Sequence, residues 1–165
     1  MELHQVYLLL GSNIGDRIGH ILNGLNKIGE KAGVINAISS FYETEPWGVT
    51  DQADYLNAAV LISTEVEPGS LFAILKEIET GEGRLDQKKY APRTLDIDIL
   101  FYDAEIITTE KLTIPHPRLH LRKFVLIPMA EIAPDHMHPV INKTIEELIA
   151  ECPDMMEVRR FGVKY

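Results

Sequence analysis

Thr94-Leu95-Asp96-Ile97-Asp98-Ile99-Leu100-Phe101-Tyr102 reads as a β-strand. Its period of two puts Asp96 and Asp98 on one face and Ile97 and Ile99 on the other. Working outward from it, the stretch just before is a basic loop, Arg84–Arg93, and before that comes a helix. Pro68 suits the first turn of that helix, Leu71, Leu75 and Ile78 form its apolar stripe, and Gly81 and Gly83 end it. Further back, Tyr55–Thr64 and Val34–Thr44 read as strands joined by a long loop, Glu45–Asp54. Ile18, Ile21, Leu22, Leu25 and Ile28 recur at helical spacing, with Asp16 near the start and Gly33 past the end. Val6–Leu10 is a short apolar run stopped by Gly11-Ser12-Asn13, a buried strand leading into a loop.

The resulting order is β-α-β-β-α-β, the ferredoxin-like split βαβ arrangement. It predicts an α+β fold with an antiparallel sheet and helices on one face. The residues after Tyr102 carry prolines at 115, 117, 128, 134, 139 and 153. They are expected to form a C-terminal extension of short helices and loops closing the other side of the sheet. No repeat or low-complexity linker divides the chain, so residues 1–165 are expected to be a single domain.

Composition narrows the partners. Hydrophobic residues are 45% of the 165, enough for a core without staples. The formal charge of −9 and pI near 5.1 disfavour a nucleic-acid partner, because the field repels a phosphate backbone. A nucleotide held by a local basic loop or a metal stays possible. The one cysteine, Cys152, cannot form an internal disulfide and suits a reducing cytoplasm. Glu151 and Asp154 beside it supply no positive charge to favour a thiolate, which argues against a nucleophile. The start, Met1-Glu2-Leu3-His4, lacks the positive segment of a signal peptide, and the longest apolar runs are strand-sized, so no membrane partner is expected. A monomer is expected.

Two carboxylates on one face of a half-buried strand repel each other and lose hydration. A cation relieves both costs, and two hard oxygen ligands without a larger cage suit magnesium shared with substrate phosphates. The spacing alone fits a solvent-facing polar stripe equally well. The loop alongside holds Arg84, Lys88, Lys89 and Arg93 in ten residues. Guanidinium groups grip phosphate oxygens bidentately, so this loop reads as a triphosphate clamp, or by itself as a solvated charge run. Tyr55 and Asn57 share a strand face, where a ring can stack on a flat heterocycle and an amide can read its edge. An ordinary exposed sheet face is the other reading. His116, stiffened between Pro115 and Pro117, could touch phosphate or shuttle a proton, or have no task. There is no Gly-x-x-x-x-Gly-Lys-Ser/Thr loop, no dinucleotide fingerprint and no protein-kinase motif set.

Several segments together resemble the 6-hydroxymethyl-7,8-dihydropterin pyrophosphokinase family. They are Leu9-Leu10-Gly11-Ser12-Asn13, Phe41-Tyr42-Glu43-Thr44-Glu45-Pro46-Trp47-Gly48, Asp54-Tyr55-Leu56-Asn57-Ala58-Ala59-Val60, Glu79, Gly83-Arg84, Pro92-Arg93-Thr94-Leu95-Asp96-Ile97-Asp98-Ile99 and Pro115-His116-Pro117-Arg118. The resemblance runs from about residue 5 to residue 134. It implies a ferredoxin-like fold and a magnesium-dependent transfer of diphosphate from ATP to the hydroxymethyl-dihydropterin, in folate biosynthesis, with AMP leaving. It further implies that Asp96 and Asp98 hold two Mg²⁺ ions. The pterin would stack between Tyr55 and Phe124, while Asn57 and the backbone of Thr44, Glu45, Pro46 and Trp47 read its edge. Arg84, Arg93, His116 and Arg122 match positions that contact ATP or assist catalysis. Lys76, Glu79, Lys89, Tyr90, Ile99, Lys111 and Thr113 match nucleotide-site positions.

The departures lie in the basic loop. Many relatives read Arg-x-x-x-Arg-Trp-Gly there, whereas this chain has Asp86-Gln87-Lys88-Lys89-Tyr90-Ala91 and is one residue shorter than some members. Lys89 and Tyr90 replace an Arg-Trp pair, so a forked phosphate contact is lost and a stacking ring is kept. Two rival readings are a ferredoxin-like small-molecule sensor without chemistry and a metal-dependent phosphotransferase acting on another acceptor. Tyr55, Asn57 and the Thr44–Trp47 loop favour the pterin.

Overall fold

The computed structural model describes residues 2–45, 53–83 and 93–162. Its elements are β1 (His4–Ser12), α1 (Arg17–Lys31), β2 (Val34–Ile38), β3 (Tyr42–Thr44), β4 (Tyr55–Thr64), α2 (Pro68–Gly81) and β5 (Asp96–Tyr102). After these come β6 (Ile107–Thr108), β7 (Thr113–Ile114), a 3-10 turn at Leu119–Leu121, α3 (Lys123–Ile132), α4 (Ile145–Glu151) and β8 (Arg159–Arg160). Asp16 caps α1 by accepting the Gly19 N–H at 3.0 Å, and Pro68 opens α2 where its missing N–H costs nothing.

The fold is a mixture of helices and antiparallel sheet. β1 lies between β4 and β5, and the main sheet runs β5-β1-β4-β3-β8, with β2 paired to the far half of β4. Alternation along the strands separates two cores. Val6, Leu8 and Leu10 of β1, Leu56, Ala58, Val60 and Ile62 of β4, and Ile97 and Ile99 of β5 pack under α1 and α2. Leu9, Ala59, Leu100 and Phe101 point the other way and pack with Val125, Leu126 and Met129 of α3 and Ile145 and Leu148 of α4.

Two features depart from the sequence reading. Val34–Thr44 is not one strand: it breaks at Ser39–Phe41 into β2 and β3. Ser39 is fully buried, its N–H donates to Ala59 O, and its hydroxyl accepts the Ala59 N–H at 2.9 Å. A side-chain oxygen thus takes the place of a ladder carbonyl, and the chain turns without leaving a buried donor unpaired. The residues after Tyr102 also hold more than helices and loops. β6 and β7 form a small separate hairpin, and β8 joins the main sheet beside β3.

A bulge shapes β5. Tyr7 pairs with Phe101 and Leu8 with Ile99, so Leu100 is the extra residue. Leu100 and Phe101 therefore both face the α3/α4 side. Among the described residues, no helix is long and apolar enough to cross a membrane.

On that same side His136 lies against Tyr7 and Phe101, with ring centroids 4.8 and 4.4 Å away, and His138 is 4% exposed. Burial pushes both imidazoles below their ordinary pKa. The unfolded chain binds those protons below about pH 6.5 and the folded chain resists them, so stability should fall as pH drops through that point. Thermal melts from about pH 7.5 to about pH 5.5 should show the decline, and His136→Phe should make it shallower, with His138 and His116 supplying the rest. An unchanged slope in that variant would remove His136 from the cause.

Candidate active site

The site begins as one row across the sheet. Tyr42 pairs with Asn57, Asn57 with Gly11, and Gly11 with Asp96. Leu9 pairs with Asp98, one pleat further along β1. Asp96, Asp98, Tyr55 and Asn57 all project from the face opposite α1 and α2, since Ile97, Ile99, Leu56 and Ala58 occupy the other. Adjacent strands lie about 4.8 Å apart, so Asn57 and Asp96 stand about 10 Å from each other.

Gly11 sets how that space is used. A Cβ on Gly11 would sit 2.4 Å from Asn57 Oδ1. The Asn57 amide therefore lies across Gly11, over a position where any side chain would displace it. Asn57 is 4% exposed and Tyr55 half-buried, so this is not an open polar sheet face. Asp96 and Asp98 are both half-buried.

The backbone holding the pair is tightly fixed. Glu79 of α2, 1% exposed, accepts the Ile97 N–H at 2.6 Å between the two aspartates. Its other oxygen takes Lys76 Nζ at 3.1 Å, and that ammonium also lies 5.2 Å from the Phe72 ring centre. A buried carboxylate so bonded orders the strand from behind. Just upstream, Asn13 brackets Arg93: its N–H donates to Arg93 O at 3.0 Å and its Oδ1 accepts the Arg93 N–H at 2.7 Å.

His116 enters through the bulge, its N–H donating to Leu100 O at 3.1 Å. Burial and the nearby Arg122 and Arg118 charges push its pKa down to about 4 against an opposing pull from Asp96. His116 is therefore neutral at pH 7. Its Nδ1 accepts the Arg118 N–H at 3.4 Å, which leaves the proton on Nε2. Arg122, at the start of α3, sits with its guanidinium 5.7 Å from the Phe124 ring centre. Phe124 packs against the α3/α4 core.

The remaining expected residues are placed as follows. Thr44 is buried opposite Tyr55, and Glu45 follows it, exposed. Ile99 buries its side chain under α2 at 5% exposure, which leaves only its backbone for a ligand on the aspartate face. Thr113 is half-buried in β7 and Lys111 exposed in the preceding turn. Pro46 and Trp47, and Arg84, Lys88, Lys89 and Tyr90, lie outside the described residues. Two positions were absent from the sequence-based site: Gly11 and Asn13. A glycine ending an apolar strand is the signal that could have flagged the first.

Chemically, carboxylate oxygens are the donor set of a hard cation. Among the described residues no group of three or more His, Cys, Asp or Glu side chains forms a closed cage. A two-carboxylate set fits a cation that completes its shell with water and phosphate oxygens, and the charges of Asp96 and Arg122 are both felt at His116.

A fold of helices and antiparallel sheet carrying paired strand carboxylates defines a class, and comparison with known proteins places the chain within it. Residues 7–134 match the model of the family described as 7,8-dihydro-6-hydroxymethylpterin-pyrophosphokinase (HPPK), and the chain belongs to that family. It is 41% identical to the 2-amino-4-hydroxy-6-hydroxymethyldihydropteridine pyrophosphokinase of Aquifex aeolicus, over 88% of this chain and 91% of that one. It is 45% identical to the enzyme of the same name from Bacillus subtilis, over 76% of each. The Dictyostelium discoideum folic acid synthesis protein FOL1 is 38% identical over 90% of this chain, which spans only 22% of that longer protein. Among solved structures, Plasmodium falciparum HPPK-DHPS superposes with a TM-score of 0.75 over 91% of this chain and 42% of its own, at 18% identity. That likeness speaks for the fold alone.

Proposed function

We propose that this protein transfers diphosphate from ATP to the hydroxymethyl group of 6-hydroxymethyl-7,8-dihydropterin, yielding AMP and the pterin diphosphate. The observation that carries this reading is the row Asn57–Gly11–Asp96. It sets a heterocycle-reading amide about 10 Å from a carboxylate pair on one sheet face. We read the sheet order, with β5, β1 and β4 adjacent, as the ferredoxin-like arrangement closed on its second side by α3 and α4.

The pterin lies against Tyr55 and Phe124, and Asn57 reads its edge by donating and accepting hydrogen bonds. Thr44 and Glu45 contribute backbone groups alongside. This orientation aims the hydroxymethyl oxygen at the β-phosphorus of ATP, which supplies much of the rate by proximity. Asp96 and Asp98 would hold magnesium, which when bound neutralises phosphate charge and lowers the pKa of the attacking hydroxyl. His116 donates Nε2–H to a phosphate oxygen, and Arg122 and Arg93 add cationic donors. Glu79 acts from behind the strand by holding Ile97, and Lys76 is largely occupied by Glu79. Arg84, Lys89 and Tyr90 belong to the nucleotide side of this proposal.

The purified protein with Mg²⁺, ATP and the hydroxymethyl-dihydropterin should release AMP and the pterin diphosphate in equal amounts. Release of ADP, or intact ATP binding without turnover, would sink the reading in favour of another acceptor or another reaction.

A further inference from the structure

Four charged side chains from separate parts of the chain converge on the two sides of the Glu45–Ala53 connection. Arg17, the first residue of α1, donates Nη1 to Glu43 Oε2 at 2.7 Å and to the Asp54 carbonyl at 2.9 Å. Arg159 of β8 donates Nη2 to Asp54 Oδ2 at 2.8 Å and lies 3.5 Å from Glu43 Oε1. Each arginine thus touches both Glu43, before the connection, and Asp54, after it. Thr44 follows the first and Tyr55 the second. The backbone reinforces the link: Glu43 pairs with Arg159 and Tyr42 with Arg160, and the Phe161 N–H donates to Phe41 O at 2.8 Å. Arg17 also lies 5.6 Å from the Phe161 ring centre.

An isolated exposed ion pair adds little, because solvent and side-chain entropy absorb the gain. This cluster differs in two ways. Its ion pairs run as a chain of alternating sign, Arg17–Glu43–Arg159–Asp54, with side chains only 22–39% exposed. And one guanidinium is shared by two carboxylates that repel each other without it. Removing Arg159 therefore works directly on the separation of Glu43 and Asp54. Arg159 lies outside residues 7–134, the part that matches the family model.

We propose that Arg159, with Arg17, is a positioning residue for the flat heterocyclic substrate. By tying Glu43 to Asp54, the two arginines fix Thr44 against Tyr55 and set the affinity for the pterin rather than for ATP. This rests on the pterin site proposed above.

Steady-state kinetics with each substrate varied separately test it. Arg159→Ala should raise the KM for the pterin about tenfold while kcat and the KM for ATP hold. Arg159→Lys should recover part of the loss, because it keeps a charge but not the fork. Adding Arg159→Ala to Asp54→Asn should cost less than the two changes taken separately. A lower melting temperature with an unmoved pterin KM would overturn the proposal, leaving Arg159 as a brace for β8. Should Arg159→Ala not fold, Arg159→Lys decides on the same pterin KM. Asn57→Ala, run in parallel, separates the two layers. If it raises the pterin KM and Arg159→Ala does not, the positioning role falls alone. If neither moves it, the pterin site itself is misplaced.

Discussion

Asp98→Ala is expected to lose turnover by about a thousandfold or more while melting close to the parent protein. The two halves of that expectation have separate causes. Asp98 shares a half-buried face with Asp96, while Ile97 and Ile99 lie in the core on the other face. Deleting one of two neighbouring like charges relieves their repulsion, which offsets part of what the fold loses with the side chain. The chemistry loses half of the carboxylate set proposed to hold magnesium, and with it charge neutralisation worth several kcal/mol in the transition state. AMP release, thermal melting and the Mg²⁺ dependence of the residual rate check the three parts. A variant that turns over at near-normal speed would return the pair to a polar stripe on a sheet.

Gly11→Ala is expected to raise the KM for the pterin by ten- to a hundredfold, roughly the loss of one or two hydrogen bonds. The added Cβ would stand 2.4 Å from Asn57 Oδ1, a contact that cannot persist. The next closest backbone atom, Leu56 O at 3.6 Å, is at ordinary contact distance, so the strand need not move. The Asn57 amide is the free end of a side chain and rotates away. The damage is therefore to substrate reading and not to β1. Combining Gly11→Ala with Asn57→Ala should cost little beyond Asn57→Ala alone, since both remove the same amide. Full additivity, or a pterin KM equal to that of the parent, would mean that the amide has no part in binding.

Much of this arrangement was legible in the sequence because it is local. β1, β4, β5, α1 and α2 announce themselves by period and by their stops, and Asp96 and Asp98 fall on one face by alternation alone. What escaped is non-local. Val34–Thr44 is rich in strand formers throughout, and the break at Ser39 depends on a hydroxyl meeting Ala59, twenty residues away. β8 has two residues, and its reason to exist is Glu43 and Asp54, more than a hundred residues earlier. His116 reads as a stiffened loop residue; that it feels the charges of Arg122 and Asp96 is a product of folding. Glu79 reads in the sequence as a nucleotide-site position; that its carboxylate also accepts the Ile97 N–H is set by burial.

The extra residue in β5 has a consequence for how such a strand can change over time. In a strictly alternating strand, any slip that reoriented the apolar end would carry both aspartates with it. Leu100 acts as a clutch between the two halves. The end that fills the core between sheet and α3 can be repacked, lengthened or rotated while Asp96 and Asp98 keep their register with Gly11 and Leu9. The same residue's carbonyl anchors His116, so the decoupling point is also where a third residue of the proposed site joins the strand. Drift in the scaffold and constancy of the charged face can then coexist within seven residues.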